Sequence, residues 1–332
     1  SPVFSIEYGD GSGSERCLVT NGMTPTQDSS YEHLGEVNMG APSSLYNFAT
    51  DAFQRFQADK TCLVLWDHGM NWYGGCCVDL SSSNDTLTTD ELRSSALAIT
   101  NVNGGRIDVI GVDCCLMGSM EVCYVFRDTC DIYIGSETAI PLEGWPYDAV
   151  FQPLVDSPYM TPEQFAKVIV SEYALSYEET SWYVTLSAFW TDSVSTEVAS
   201  ALTEFADVML STTSPNIWGR IAAARTATLD FDTIIDGSSY NDGYNADLYC
   251  FASEAYDRVS TGSVRAAASN LMAALEHARI ASSIHSIYLP YYDSFGLSIF
   301  WPEQELYLDE YPSQDLAEDT SWDEFLVAFY SK

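Results

Sequence analysis

The chain has 332 residues, 46% hydrophobic and 13% aromatic, enough apolar material for a sizeable core, which rules out wholesale disorder. Thirteen Lys and Arg face 48 Asp and Glu, a formal charge of −35. A field of that sign argues against nucleic acid and acidic membranes as partners and favours cationic ones, basic peptide segments included. No apolar run approaches the roughly 20 residues of a membrane span. No basic-then-apolar leader opens the chain, which begins Ser1-Pro2-Val3-Phe4; a trimmed or mature form is expected. Lysine occurs only at Lys60, Lys167 and Lys332. A surface so rich in acid and poor in lysine suits either high salt or surroundings full of proteases that cut at basic residues. The nine cysteines would leave at least one thiol unpaired in an exported protein.

In chain order, residues 4–8 and 16–20 read as strands flanking a Gly-rich turn at 9–13. Ser43 is placed to cap a helix with Leu45, Phe48, Ala49, Phe53 and Phe56 on its apolar face. Cys62 to Trp66 is an apolar run without alternation, the pattern of a strand covered on both faces, and it ends in Asp67-His68-Gly69. After a polar loop at 79–85, Thr88 and Glu91 form a capping-box pattern that starts a crossover helix, ended by Gly104-Gly105. A second buried strand at 107–112 ends in Asp113-Cys114-Cys115. A helix follows with Leu116, Met120, Cys123 and Tyr124 on one face. A third apolar run, Ile132 to Ile134, ends in Gly135-Ser136-Glu137. This βαβαβ order predicts an α/β fold, a mostly parallel central sheet with helices on both faces. Beyond a strand at 182–190 the pattern turns helical, with helices predicted at 193–211, 216–229, 247–259 and 263–281. Two late apolar runs, 286–290 and 296–301, are candidates to return to the sheet. Residues 1–185 are then expected to form one domain built on the sheet, and 186–332 a mainly helical subdomain packed on it.

In open α/β sheets, ligands bind beyond the carboxyl ends of the strands. Three successive strand ends here carry His68, Asp113-Cys114-Cys115 and Ser136-Glu137. Neighbouring strands lie about 4.8 Å apart, so His68 and a cysteine can share one crevice as base and nucleophile. Cys115, expected to open a helix and so to have its thiol pKa lowered there, fits better than Cys114, which is expected to point into packing. The amides of Gly69 and Cys115 are candidates for an oxyanion hole. A buried Asp113 carboxylate would select an Arg or Lys side chain.

Leu65-Trp66-Asp67-His68-Gly69 with Trp72, and the run from Ile107 to Met117 with Glu121, resemble the two signature blocks of the clostripain-like cysteine peptidases. Glu143-Gly144-Trp145-Pro146-Tyr147 is similar to that family's block after the third strand. The blocks at 34–40, 247–249, 296–299 and 322–325 resemble its flanking ones, so the likeness runs along nearly the whole chain. The resemblance implies a caspase-like fold and a Cys/His dyad of Cys115 and His68. It also implies an acyl-enzyme peptidase that cuts after Arg or Lys held by Asp113, with Trp145 lining the cleft and Ser136 and Glu137 beside it.

Two departures stand out. The residue between Asp113 and Cys115 is usually small in that family and here is Cys114, read as inert packing rather than a redox partner. The family's opening strand and acidic turn are missing or altered, so a first strand is expected to have been trimmed. Family members are often activated by a cut after a basic residue between the two blocks. The chain has no Lys or Arg between Lys60 and Arg93, so it is expected to work uncut.

The protein is thus expected to be secreted or at the cell surface and to act on proteins or peptides with basic residues. The rival is a catalytically idle binding protein that uses its acidic face to hold cationic partners. No cofactor is required by this chemistry. Asp236, Asp242 and Asp247, with Asn241 and Asn245, are candidate ligands for calcium, although the spacing is not an EF-hand. A zinc site of His68, Cys76, Cys77 and Cys115 lacks the usual CxxC spacing. His33, His277 and His285 have no partners at ligand spacing.

Overall fold

The computed structural model describes residues 3–8, 13–19, 32–231, 233–235, 238–240, 244–285 and 295–332. At its centre lies a five-stranded sheet in the order Arg279–His285, Val184–Trp190, Cys130–Gly135, Ile107–Asp113, Cys62–Trp66. The three strands of the expected βαβαβ unit pair in parallel. Val184–Trp190 runs against them and Arg279–His285 runs against it. All strands but Val184–Trp190 therefore point the same way, in a sheet that is mixed.

Successive side chains of a strand leave opposite faces, and here they feed two cores. Ile110, Val112 and Tyr133 share one with the helices Pro42–Arg55, Thr89–Asn103 and Met120–Val125 and with the C-terminal helices. Val109, Ile132 and Ile134 share the other with Tyr147–Asp156 and Pro162–Ser176. Cys62–Trp66 departs from the expected double coverage. It is an edge strand: Leu63 and Leu65 are buried, but Trp66 is 50% exposed.

The crossover helix begins as its sequence predicts. The Thr88 hydroxyl accepts from the Glu91 N–H, and the Glu91 carboxylate accepts from the Thr88 N–H. Gly104, at φ +76°, ends it. The first helix does not use Ser43 as its cap. Pro42 takes the first helical position and Ala41 the cap, because proline's fixed φ suits that place and its missing N–H costs nothing there. Phe56 lies just past that helix and is exposed.

The polar loop at 79–85 joins two short strands, Cys76–Asp79 and Asp85–Leu87. The segment between the histidine and the crossover helix is thus folded. Asp79 fastens it to residues upstream by accepting from the Met39 N–H at 2.8 Å.

The C-terminal part is mainly helical, with Ala199–Leu210, Pro215–Ala227, Leu248–Arg258 and Gly262–Ala278 close to their predicted spans. The last helix stops short of 281. Arg279 turns extended and pairs with Phe189, so strand pairing overrides the helical pattern. The boundary expected at 185 falls inside Val184–Trp190, and the C-terminal part supplies an edge strand of the sheet. Ser298–Phe300 pairs instead with Asn245–Asp247 in a separate two-stranded sheet. The run at 286–290 lies outside the described residues, as do 9–12 of the Gly-rich turn. Among the described residues no helix is long and apolar enough to cross a membrane.

Candidate active site

Trp66 and Asp113 are direct partners across the parallel pair. His68 and Cys115 each lie two residues further on, at matching places beyond the carboxyl edge of the sheet. His68 is exposed; Cys115 is half-buried. Gly69 sits directly against the cysteine turn: a Cβ built on it would lie 2.5 Å from the Cys115 carbonyl oxygen and 2.8 Å from Cys114 Cβ. Only glycine permits that approach.

The histidine segment is a tight hairpin. Cys77 N–H donates to the His68 carbonyl, and Gly69 bridges Cys76. Asn71, fully buried at φ +52°, pins it in place. Its side-chain oxygen accepts from the Trp72 N–H at 2.6 Å and the Ser119 hydroxyl at 2.7 Å, and its amide donates to Asn245 Oδ1 at 3.0 Å. Asn71 thus joins the segment after the histidine to the segment after the cysteine. Sequence reasoning passed over it. The available signal was an Asn two residues beyond His68-Gly69, a residue type that tolerates left-handed backbone.

Cys115 does not open a helix. Residues 114–118 form a turn, Leu116 takes φ +62°, and the helix starts at Met120 with Ser119 as its cap. The helix-dipole argument for an acidic thiol therefore fails. The turn rests on the third strand end: Leu116 N–H donates to the Thr138 carbonyl, Gly118 N–H to the Ser136 carbonyl, and the Tyr133 hydroxyl to the Met117 carbonyl. The Cys115 sulfur accepts from the Ile140 N–H at 3.2 Å, and its thiol donates to the Ile140 carbonyl at 3.6 Å. Burial pushes its pKa above the ordinary thiol value and the Asp113 charge adds to this, against the opposing pull of the Ile140, Cys115 and Gly69 amides. The Cys115 and Gly69 amides singled out for an oxyanion hole thus both act on this sulfur.

Asp113 is 1% exposed. Its Oδ2 accepts from the Trp145 N–H at 2.9 Å and the Tyr147 hydroxyl at 2.8 Å. Its Oδ1 is buried without a hydrogen-bond partner among the described residues. Burial raises its pKa to about 6, opposed by those two donors. Gly144 closes the wall. It adopts φ +63°, and a Cβ there would lie 2.7 Å from both Asp113 Oδ2 and Trp66 Nε1.

Other expected site residues fall elsewhere. Trp145 does not line an open cleft. It is 2% exposed, with its ring against Gly111, and it reaches the site through its backbone. Ser136 and Glu137 are buried supports: Ser136 Oγ bonds to Thr138, and the Glu137 N–H donates to Thr185 Oγ1. Cys114 is fully buried, its thiol aimed at the Leu65 carbonyl. Cys76 and Cys77 gather with Cys114 rather than with His68 and Cys115. Asp247 caps the helix Leu248–Arg258, and its two oxygens accept from the Cys250 and Phe295 N–H groups. The other two aspartates expected for calcium, Asp236 and Asp242, lie outside the described residues.

A profile described as the clostripain family matches residues 6–328. Clostripain of Hathewaya histolytica is 27% identical over 133 residues, which cover 35% of this chain and 24% of that protein's length. A secreted C11 cysteine protease from Bacteroides thetaiotaomicron, solved with an irreversible peptide inhibitor, superposes with a TM-score of 0.65 at 19% identity, covering 95% of this chain and 87% of that one. An inactive zymogen C11 protease from Parabacteroides distasonis gives 0.63 at 19% identity, over 92% and 83%. At such identity the likeness speaks for the fold, which is caspase-like.

Proposed function

We propose that this chain, which belongs to the clostripain family, is a cysteine endopeptidase that cuts after Arg or Lys. What carries the proposal is the register of two parallel strands, which leaves His68-Gly69 and Asp113-Cys114-Cys115 side by side at one rim. His68 takes the Cys115 proton as the sulfur attacks the scissile carbonyl. The oxyanion is held by the Gly69 and Cys115 amides. Collapse breaks the C–N bond, and the imidazolium gives its proton to the leaving amine. Water, deprotonated by His68, then attacks the thioester, and the thiol is restored. These steps draw only on the chain's own thiol and imidazole. Burial and the Asp113 charge disfavour the Cys115 thiolate, so His68 is proposed to act as a base during attack.

The free Oδ1 of Asp113 supports the specificity. A buried carboxylate with an unspent acceptor gains most from a charged donor. The −35 charge would gather basic substrates, an effect that salt weakens. Its likeness to a secreted protease supports a place outside the cell. The chain is proposed to work uncut between residues 70 and 92, where it has no basic residue. Two fragments with a break in that interval after incubation of the pure protein would refute this.

A fluorogenic peptide ending in Arg is expected to be turned over by the wild type and not by Cys115→Ala. Equal release by both, or none by either, overturns the peptidase proposal; the second outcome is the one that the idle-binder alternative requires.

A further inference from the structure

Three thiols outside this chemistry meet beneath the rim. Cys76, Cys77 and Cys114 are all buried, and their sulfur atoms lie within 4.8 Å of one another. Consecutive residues of a regular strand point to opposite faces, so Cys76 and Cys77 ought to diverge. They converge because Cys77 adopts φ +60° and the pairing with Asp85–Leu87 shifts register at that point. Left-handed backbone is costly for a residue with a Cβ, and such strain gathers at functional sites. Here it turns a second sulfur toward Cys114.

We propose that Cys77 and Cys114 are disulfide partners in the oxidised protein, covalently tying the segment that follows His68 to the turn that carries Cys115. Cys76 remains a thiol. Cys77 is 8% exposed as a residue while Cys76 and Cys114 are 0% exposed, so Cys77 is the least enclosed of the three. The oxidant is a low-molecular-weight disulfide. The Cys77 thiolate attacks one of its sulfurs, breaking that S–S bond and releasing one small thiolate. Cys114 then loses its proton, attacks the Cys77 sulfur of the mixed disulfide and expels the second. Two protein thiols give up two electrons and two protons, and the reagent leaves as two thiols. Hydrogen bonding from Cys114 and then Cys76 holds Cys77 well below the ordinary thiol range, which favours it as the attacking group.

A metal is the competing occupant. Structural zinc takes four ligands, and among the described residues no fourth His, Cys, Asp or Glu joins the three. Three thiolates would also bring three negative charges into a dry interior, where a disulfide is neutral.

The test uses Cys115→Ala protein, which removes the rim thiol as an exchange partner and needs no turnover, so its outcome is independent of the peptidase assay. The protein is equilibrated with excess oxidised glutathione, denatured in iodoacetamide and mapped by mass spectrometry. The expected product is a peptide pair joined through Cys77 and Cys114, with Cys76 alkylated, that separates on reduction. Alkylated Cys77 and Cys114 overturn the proposal. So does a bond through Cys76, or one equivalent of zinc or copper found by elemental analysis. As a second readout, oxidation should raise the Tm of Cys115→Ala by several degrees and leave that of Cys115→Ala/Cys77→Ser unchanged. An equal rise in both also overturns it; if the double variant does not fold, the peptide map decides.

Discussion

The two strand ends that make the site are alike in sequence and opposite in setting. Cys62–Trp66 is an edge strand of the sheet, and its end is open: Trp66 is half-exposed and His68 faces solvent. Ile107–Asp113 lies one place inward, and its end is closed: Asp113 and Cys114 have 1% and 0% exposure. The difference divides the work by solvation. The proton relay proposed for His68 needs contact with water and with the leaving amine, and the edge offers both. The carboxylate proposed to select a cation gains from low dielectric, which an interior strand supplies. Cys115, the proposed nucleophile, lies between, half-buried.

The largest effects should come from breaking each end separately. Cys115→Ala is expected to lower kcat on an Arg substrate on the order of 10⁴-fold or more. His68→Ala should cost about 10²–10⁴-fold. Because His68 is exposed, its removal should leave the Tm nearly unchanged. A fall in Tm of many degrees in His68→Ala would mean that the edge position is structural and that the division of work is wrong.

Asp113→Asn probes the closed end. Losing a charge-assisted contact costs roughly 1.5–3 kcal/mol, so kcat/KM for Arg and Lys substrates should fall about 10- to 150-fold, with little change for an uncharged residue at the same place. The pH sign follows from burial. With the free-enzyme pKa raised to about 6, the carboxylate is ionised above that pH, so kcat/KM on basic substrates should fall as pH drops through about 6. That limb should be absent in Asp113→Asn. Stability moves the other way. A carboxyl whose folded pKa is raised contributes most stability below the ordinary 3.8 and loses it as pH rises through about 6. At pH 8 the Asn variant should therefore be as stable as the wild type or more so, by at most about 3 kcal/mol. Unchanged cleavage after Arg by Asp113→Asn would sink the pocket assignment.

Much of this arrangement was legible in the chain. The apolar runs at 62–66, 107–112 and 132–134 marked the parallel strands, and the polar residues closing each run marked the rim. Asymmetry between the ends was not legible. An apolar run without alternation looks the same on an edge strand as on an interior one, because strand order is a long-range property. The cysteine turn carries a helical pattern for a related reason. Residues 116–124 carry helical spacing, but Leu116 at φ +62° breaks the helix, and the carbonyls that make that turn favourable come from Ser136 and Thr138, some 20 residues away. The role of Trp145 was hidden because it acts through a main-chain N–H, which leaves no mark on residue type.

Gly144→Ala sharpens the contrast from the wall between the ends. The added methyl would lie 2.7 Å from the Asp113 carboxylate and from the Trp66 indole nitrogen, and left-handed backbone costs about 1–2 kcal/mol with a Cβ. Trp66 is half-exposed and can swing away; Asp113 is fixed by two donors and cannot. The variant should therefore lose selectivity for basic residues as well as stability. Normal selectivity with a lowered Tm would detach the wall from the pocket.

The smallest effect concerns the resting thiol. With its pKa above the ordinary 9.0, Cys115 is a minor thiolate at neutral pH, so its alkylation by iodoacetamide should rise about tenfold per pH unit from 6 to 8, since only the thiolate reacts. The open and closed ends then make different contributions to this rate. His68→Ala should shift it little, because burial and the Asp113 charge, which raise the thiol pKa, stay in place. Asp113→Asn should raise it, because a like charge that disfavours the thiolate is gone. A rate already flat between pH 6 and 8 would mean a preformed thiolate–imidazolium pair, and the proton would then have crossed from the closed end to the open one before substrate arrives.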